Sequence, residues 1–288
     1  MTDDSHGHAH RPIAAATEQQ DLMKRAKRIL REDVRVLGVW LTGSFGAGTD
    51  DQFSDVDLWV VVDANDVESF CDDWPKISDD IAPIVYRKQV GTQPVFSQIT
   101  PDWLRFDITV GTPDKIAGRT RSTVKPLYDP NGLSADLGDA GPSKQPDPRR
   151  VVSLSREFLR VLGLLPVVVG REEFVVGESG AGLLRDMLID LMLEDVAVEN
   201  RGGALHLNRL LSTDRQQILI DLPPLKATRE SVIGAHVAGA AAFLPLARDL
   251  HARCGLDWPQ EMEDAVRRHL AATLSIELPV EPQPGSEP

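Results

Sequence analysis

Residues 36–63, VLGVWLTGSFGAGTDDQFSDVDLWVVVD, decide the reading of this chain. Val34 to Thr42 is rich in β-branched and aromatic residues and predicts a strand, and Val56 to Val62 predicts a second. Between them Gly43 and Ser44 stand at a turn, followed by a glycine-rich polar segment with Gly46 and Gly48. Ser54-Asp55-Val56-Asp57 then leads into the second strand. Side chains alternate across a strand, so Asp55 and Asp57 share one face while Val56, Leu58, Val60 and Val62 point into a core. Two carboxylates separated by roughly 7 Å of strand rise suit a hard cation with oxygen ligands. Magnesium takes few protein ligands, so substrate phosphates would complete its coordination.

A third acid completes such a site, and Asp107 in LRFDITV is the candidate. Leu104, Phe106, Ile108 and Val110 form one alternating set, and Arg105, Asp107 and Thr109 the other. Aspartate is poorly suited to the middle of a core strand, so its presence there asks for a reason. An ion pair is one; a carboxylate cluster with Asp55 and Asp57 is another. Further extended segments are predicted at Ile84–Arg87, Val95–Thr100, Trp103–Val110 and Lys125–Tyr128. Several lie too close together to hold crossover helices, which predicts a mixed sheet with hairpins. Ahead of the sheet, Thr17 as N-cap and Gln20 three residues on predict a helix carrying Leu22, Ala26, Ile29 and Leu30 on one face.

The rest of the chain has a different texture. GDAGPSKQPDP, residues 138–148, reads as a linker. Helical patterns follow at about 150–163, 182–199, 213–220, 226–252 and 259–274, with the small-residue run GAHVAGAAAFLPLA suited to helix–helix contact. The expected fold class is therefore α+β: residues 17–140 a mixed sheet flanked by helices, residues 149–276 all helical. The His-containing residues 1–16 and the proline-rich residues 279–288 read as flexible tails.

The order and spacing of these motifs resemble a known family. Gly43-Ser44, nine intervening residues, Ser54-Asp55-Val56-Asp57-Leu58 and a distant strand aspartate, Asp107, resemble the nucleotidyltransferase superfamily that shares its catalytic fold with DNA polymerase β. The helical second half is similar to that of the bacterial antibiotic-modifying nucleotidyltransferases, including aminoglycoside adenylyltransferases. The resemblance implies transfer of a nucleoside monophosphate, AMP from ATP, to a hydroxyl of a small acceptor such as an aminoglycoside-like antibiotic. Gly43 and Ser44 would then approach the triphosphate, and Asp55 and Asp57 would hold one or two Mg²⁺ ions. Asp107 would be either a third ligand or the general base. Arg119, Arg121 and Lys125 would grip phosphates or form a solvated basic turn. The resemblance also leaves open a protein of the same fold that modifies or binds a protein partner, in the manner of an antitoxin.

In the helical half, Asp186, Asp190 and Glu194 recur every four residues opposite Leu184, Leu188 and Leu191. They read either as an acidic wall for a cationic acceptor or as an exposed stripe. The acceptor is expected in a cleft between the two halves. Trp40, Trp59, Trp74, Trp103 and Trp258 read as core or interface residues rather than as stacking platforms.

Composition sets the outer limits. With 288 residues, 31 basic against 44 acidic side chains and a net charge of −13, long nucleic acid is an unfavourable partner, whereas a cationic small molecule is compatible. Two cysteines far apart, Cys71 and Cys254, fit a reducing cytoplasm and exclude a disulfide framework. No uninterrupted apolar run reaches the roughly 18 residues of a membrane span. The expected assembly is a monomer or a homodimer. Rival motifs are weak: the sequence has no Walker lysine, Gly46 and Gly48 lack a third glycine, and Gly177-Glu-Ser179-Gly-Ala181 is an incomplete hydrolase elbow.

Overall fold

The strands form where alternation places them. The computed structural model describes residues 14–139, 145–197 and 207–279; His6, His8, His10, residues 140–144 of the Gly/Pro-rich stretch and the end from 280 onward lie outside the described residues. The chain divides into two units, Met1–Pro142 and Ser143–Pro288.

The first unit runs α1 (Ala14–Leu30), β1 (Val36–Leu41), α2 (Gly43–Ala47), β2 (Val56–Val62), α3 (Val67–Ile81), β3 (Tyr86–Gln89), β4 (Val95–Ile99), β5 (Arg105–Gly111) and β6 (Lys125–Tyr128). The sheet order is β3-β4-β5-β2-β1-β6. Only β2 and β5 pair in parallel; their other neighbours are antiparallel. A parallel pair needs a long crossover, here α3 and the β3–β4 hairpin.

The two faces of the sheet are buried differently. On one, Leu22, Ala26 and Leu30 of α1 and Phe70, Trp74 and Ile81 of α3 cover Val56, Leu58, Val60, Phe106, Ile108 and Val110. On the other, Trp40, Trp59 and Val61 pack with Ile116, Val124 and Leu137. The Trp40 indole N–H is satisfied by Ser134 Oγ at 2.9 Å. This second core covers the later half of β2 and leaves the side chains at its start, Asp55 and Asp57, beyond its edge.

In the first unit α1 and α3 differ from expectation. The first begins at Ala14, ahead of the expected Thr17 cap, because Ala14 to Ala16 are strong helix formers. The helix α3, VESFCDDWPKISDDI, was not expected; Pro75 inside it and its paired aspartates mask an apolar stripe of Phe70, Trp74 and Ile81.

The β4–β5 hairpin contains an unusual residue. Thr100 accepts the Trp103 N–H at 2.9 Å and donates its own N–H to the Leu104 carbonyl at 3.0 Å, closing a three-residue loop. Such a loop ends in a left-handed residue that is normally glycine. Here it is Trp103, with φ +65° and a side chain 73% exposed. A left-handed backbone costs a residue with a Cβ roughly 1–2 kcal/mol. Trp103→Gly is therefore expected to raise stability by about 1 kcal/mol in urea denaturation; a loss of stability would show that the indole is held by contacts in the folded state.

The second unit comprises α4 (Pro148–Leu162), α5 (Leu165–Gly170), α6 (Phe174–Glu194), α7 (Leu207–Leu210), α8 (Thr213–Ile220), α9 (Arg229–Arg253) and α10 (Gln260–Leu274). Asp147 caps α4 by accepting the Arg149 N–H at 2.9 Å, with Pro148 in the first turn. Phe158 of α4 and Phe243 of α9 stack with centroids 3.8 Å apart inside a core that also takes Leu184, Leu188 and Leu191 of α6. Gly177 lets α6 approach its neighbours: a Cβ there would meet Val168 and Val232 at 2.7 Å. The incomplete elbow at 177–181 lies inside α6, and Ser179 Oγ donates to the Val175 carbonyl at 3.2 Å. Ser179 therefore sits on no strand-to-helix elbow. Arg229–Arg253 is long and apolar enough to cross a membrane by length and composition, yet its Val232, Ala240, Phe243, Leu244 and Leu250 are core residues. Between α9 and α10, the fully buried Glu263 accepts from Arg248, Arg267 and Trp258 Nε1.

Candidate active site

The pairing of β2 and β5 brings the predicted acids together. Asp57 and Asp107 are direct register partners on the two parallel strands. Arg105 lies two residues before Asp107, and its Nη2 is 3.6 Å from Asp55 Oδ2 and donates to the Phe53 carbonyl at 3.5 Å. On β4, Ser97 pairs with Asp107 and donates its hydroxyl to Asp107 Oδ2 at 3.0 Å. Three carboxylates thus share one patch with one guanidinium and one hydroxyl.

The turn after β1 closes on this patch. Gly43 has φ +57°, and a Cβ at that position would lie 1.9 Å from Asp57 Oδ2. Both the backbone conformation and the carboxylate require glycine. The Asp57 carbonyl accepts the Thr42 N–H at 2.9 Å, tying the turn to β2. Within α2, a Cβ on Gly46 would strike the Thr123 and Leu41 carbonyl oxygens at 2.3 and 2.7 Å. Ser44 Oγ is buried and has no hydrogen-bond partner among the described residues. Gly48 ends the short helix with φ +69°, and Lys125 Nζ is 3.1 Å from where its Cβ would be.

Crowded carboxylates raise one another's proton affinity. The Asp57 carboxyl is pushed up to about 6, first by burial and then by the charges of Asp55 and Asp107, with Arg105 opposing. Burial also raises Asp107, aided by Asp55 and opposed by the Ser97 hydrogen bond and Arg105. Among the described residues no three or more His, Cys, Asp and Glu side chains form a ready-made metal cluster. Asp55 is drawn toward Arg105 and Asp107 toward Ser97. This donor set fits magnesium nonetheless. That ion binds through one or two carboxylates plus substrate phosphates, and the lone Ser44 hydroxyl supplies a donor with nothing among the described residues to receive it.

The other predicted residues divide. The Arg119 guanidinium lies over the Trp59 ring, 5.0 Å from its centroid, on the strand that carries Asp57. Lys125 stands beside the Gly43–Gly48 turn. Arg121 donates to the Ser134 and Ala135 carbonyls at 2.9 and 2.8 Å, so its guanidinium anchors the loop after β6. Two acids of the row on α6, Asp190 and Glu194, are partnered. Arg150 meets Asp190 at 2.9 Å and Glu194 at 3.2 Å, and the buried Glu194 also accepts the Asp147 N–H at 3.1 Å. Asp186 alone of the three is exposed.

Several residues escaped the sequence reading. Ser97 orients Asp107 and no local pattern marks it, while Arg105, placed on the face of Asp107 by alternation, pairs instead with Asp55. Phe53, 78% exposed, and Trp103 stand just before Asp55 and Arg105 on the two parallel strands. Trp40, Trp59 and Trp74 are fully buried and Trp258 packs on the helical core, but Trp103 is neither core nor covered.

Residues 23–101 match the family model described as a nucleotidyltransferase domain, a span that includes Gly43, Ser44, Asp55 and Asp57 and stops short of Asp107. No curated protein matches the chain in sequence. Among solved structures, an aminoglycoside 6-adenyltransferase from Bacillus subtilis is 17% identical, covering 88% of this chain and 96% of that one, with a TM-score of 0.42. A Thermotoga maritima CCA-adding enzyme complexed with tRNA is 14% identical, covering 89% and 73%, with a TM-score of 0.30. With its glycine–serine turn set against paired strand carboxylates and its matching family model, the first unit carries a nucleotidyltransferase domain over residues 23–101.

Proposed function

We propose that the protein transfers AMP from ATP to a hydroxyl of a small, cationic acceptor of the aminoglycoside kind, releasing pyrophosphate. The observation that carries the reading is the Asp57–Asp107 register pair, with Asp55 two residues away and the Gly43–Ser44 turn against Asp57. A net charge of −13 supports a cationic acceptor over long nucleic acid.

Each residue has a role that follows from its surroundings. Gly43 admits a phosphate close to the backbone, and Ser44 Oγ donates to a phosphate oxygen. Lys125 adds positive charge beside the turn, and Arg119 adds it over Trp59, two residues along β2 from Asp57. Asp55 and Asp57 would hold magnesium, which when bound neutralises phosphate charge. Asp107 accepts the proton of the acceptor hydroxyl; its raised proton affinity suits a base, and Ser97 fixes one carboxylate oxygen. The acceptor oxygen bonds to the α-phosphorus as the bond to the β-phosphate bridging oxygen breaks, and pyrophosphate leaves.

Incubation with Mg²⁺, aminoglycosides and ATP labelled at the α-phosphate tests this. Label on the small molecule with stoichiometric pyrophosphate is the expected result. Label on protein, or no pyrophosphate from any nucleoside triphosphate, would overturn it. Ser44→Ala offers a second check. Removing an unpartnered buried hydroxyl is close to neutral for stability, whereas loss of one hydrogen bond to a charged phosphate weakens nucleotide binding about tenfold or more. Calorimetric titration with ATP alongside a thermal melt separates the two effects.

A further inference from the structure

Two buried histidines of the helical unit use their rings differently. His251 engages both nitrogens, Nδ1 with the Asp257 carbonyl at 3.0 Å and Nε2 with Ser155 Oγ at 3.1 Å. His236 on α9, only 2% exposed, engages Nδ1 alone among the described residues, 2.7 Å from the Val232 carbonyl. That bond places the ring proton on Nδ1 and leaves Nε2 a bare acceptor. His236 lines a cavity of about 270 Å³ walled by Val161, Leu165, Val168, Val176 and Leu183. Gly180, also in the lining, keeps the approach to Nε2 open, since a Cβ there would stand 3.6 Å from that nitrogen.

We propose that this cavity binds a neutral, mainly apolar small molecule that donates one hydroxyl hydrogen bond to His236 Nε2. The lining selects that class. It holds no carboxylate to attract a cation, and its one cationic side chain, Arg160, is held by Glu157 through bonds of 2.8 and 2.6 Å. The Ser179 hydroxyl is turned to the Val175 carbonyl. Burial holds His236 below its ordinary proton affinity, so the ring offers a lone pair at neutral pH and not a charge. The site is open to solvent on one side, where Leu164, Val176 and Leu183 are partly exposed, and its volume of about 270 Å³ admits a substituted ring. The site lies within the helical unit.

The test uses the full chain and a matched pair of probes, p-cresol and 4-methylanisole, which share a ring and differ in the hydroxyl proton. Imidazole nitrogen NMR is the readout, with His251 as internal reference. Saturable p-cresol binding is expected to move the His236 Nε2 resonance and leave His251 in place, with 4-methylanisole about tenfold weaker, the worth of one hydrogen bond. Gly180→Ala is expected to weaken p-cresol about tenfold while raising the melting temperature, since alanine favours a helix interior. His236→Phe keeps the volume and is expected to bind both probes alike. Equal affinities in the parent, a stationary His236 resonance, unchanged affinity in Gly180→Ala, or no saturable binding would each overturn the proposal.

Discussion

Asp57→Asn is expected to abolish transfer and to make the protein more stable above pH 6. Asp57 is placed against the glycine–serine turn and pairs with Asp107, so its charge is central to the proposed chemistry. Its removal is expected to cost at least about 10³-fold in turnover, about 4 kcal/mol of transition-state stabilisation. The stability effect has the opposite sign. Folding raises the Asp57 carboxyl from 3.8 to about 6, so the folded chain binds that proton more tightly than the unfolded chain does. Stability therefore declines as pH climbs from about 4 to 6 and stays reduced above, by up to about 3 kcal/mol. Asparagine has no proton to lose and escapes the decline. Urea denaturation at pH 4 and 7.5 is expected to show similar stabilities at the first and an advantage for the variant at the second. Saturating Mg²⁺ is expected to narrow that gap by binding the parent. Turnover within tenfold of the parent at matched magnesium would sink the assigned role.

The largest stability loss is expected from Glu263→Ala in the helical unit. This carboxylate is fully buried and receives hydrogen bonds from Arg248, Arg267 and Trp258. Burial alone would raise its proton affinity, but the hydrogen bonds outweigh that and hold it below the ordinary 4.5. Arg267 also donates to the Leu278 carbonyl at 2.8 Å, so the carboxylate indirectly anchors the segment after α10. Truncating one partner of a buried ion pair typically costs about 3–5 kcal/mol, because the remaining charges stay desolvated. The sign with pH follows from the lowered value: the contribution is complete above 4.5 and is lost as pH falls through the lower folded value. Melts at pH 7 are expected to separate parent and variant widely, and the gap to narrow as pH is lowered below the ordinary carboxylate range. A loss under about 1 kcal/mol at pH 7 would mean that the arginines find other partners without cost.

The acids were legible because strand alternation is a local property. DVDLWVVV and LRFDITV each mark a polar and an apolar face without reference to the rest of the chain. What sequence did not contain was register. That Asp57 faces Asp107, and Ser97 in turn faces Asp107, depends on how three strands align, which side-chain packing across the whole sheet decides. Arg121 illustrates the same limit from the other side: beside Arg119 it reads as an equal phosphate ligand, yet two backbone carbonyls after β6 already hold it. The row on α6 was legible as a helix face, while its partner Arg150 lies forty residues from Asp190 and on another helix. The early start of α6 was hidden by Gly177, Gly180 and Gly182, poor helix formers of which Gly177 is needed for close packing.

The cation–aromatic contact between Arg119 and Trp59 gives the first unit an optical reporter. Trp59 lies under the guanidinium, 5.2 Å from the Trp40 ring and two positions along β2 from Asp57. A triphosphate that pulled Arg119 off the indole would strip a quenching charge from a buried tryptophan pair. Emission intensity would then follow nucleotide occupancy in unlabelled protein, and Trp59→Phe would silence most of the change.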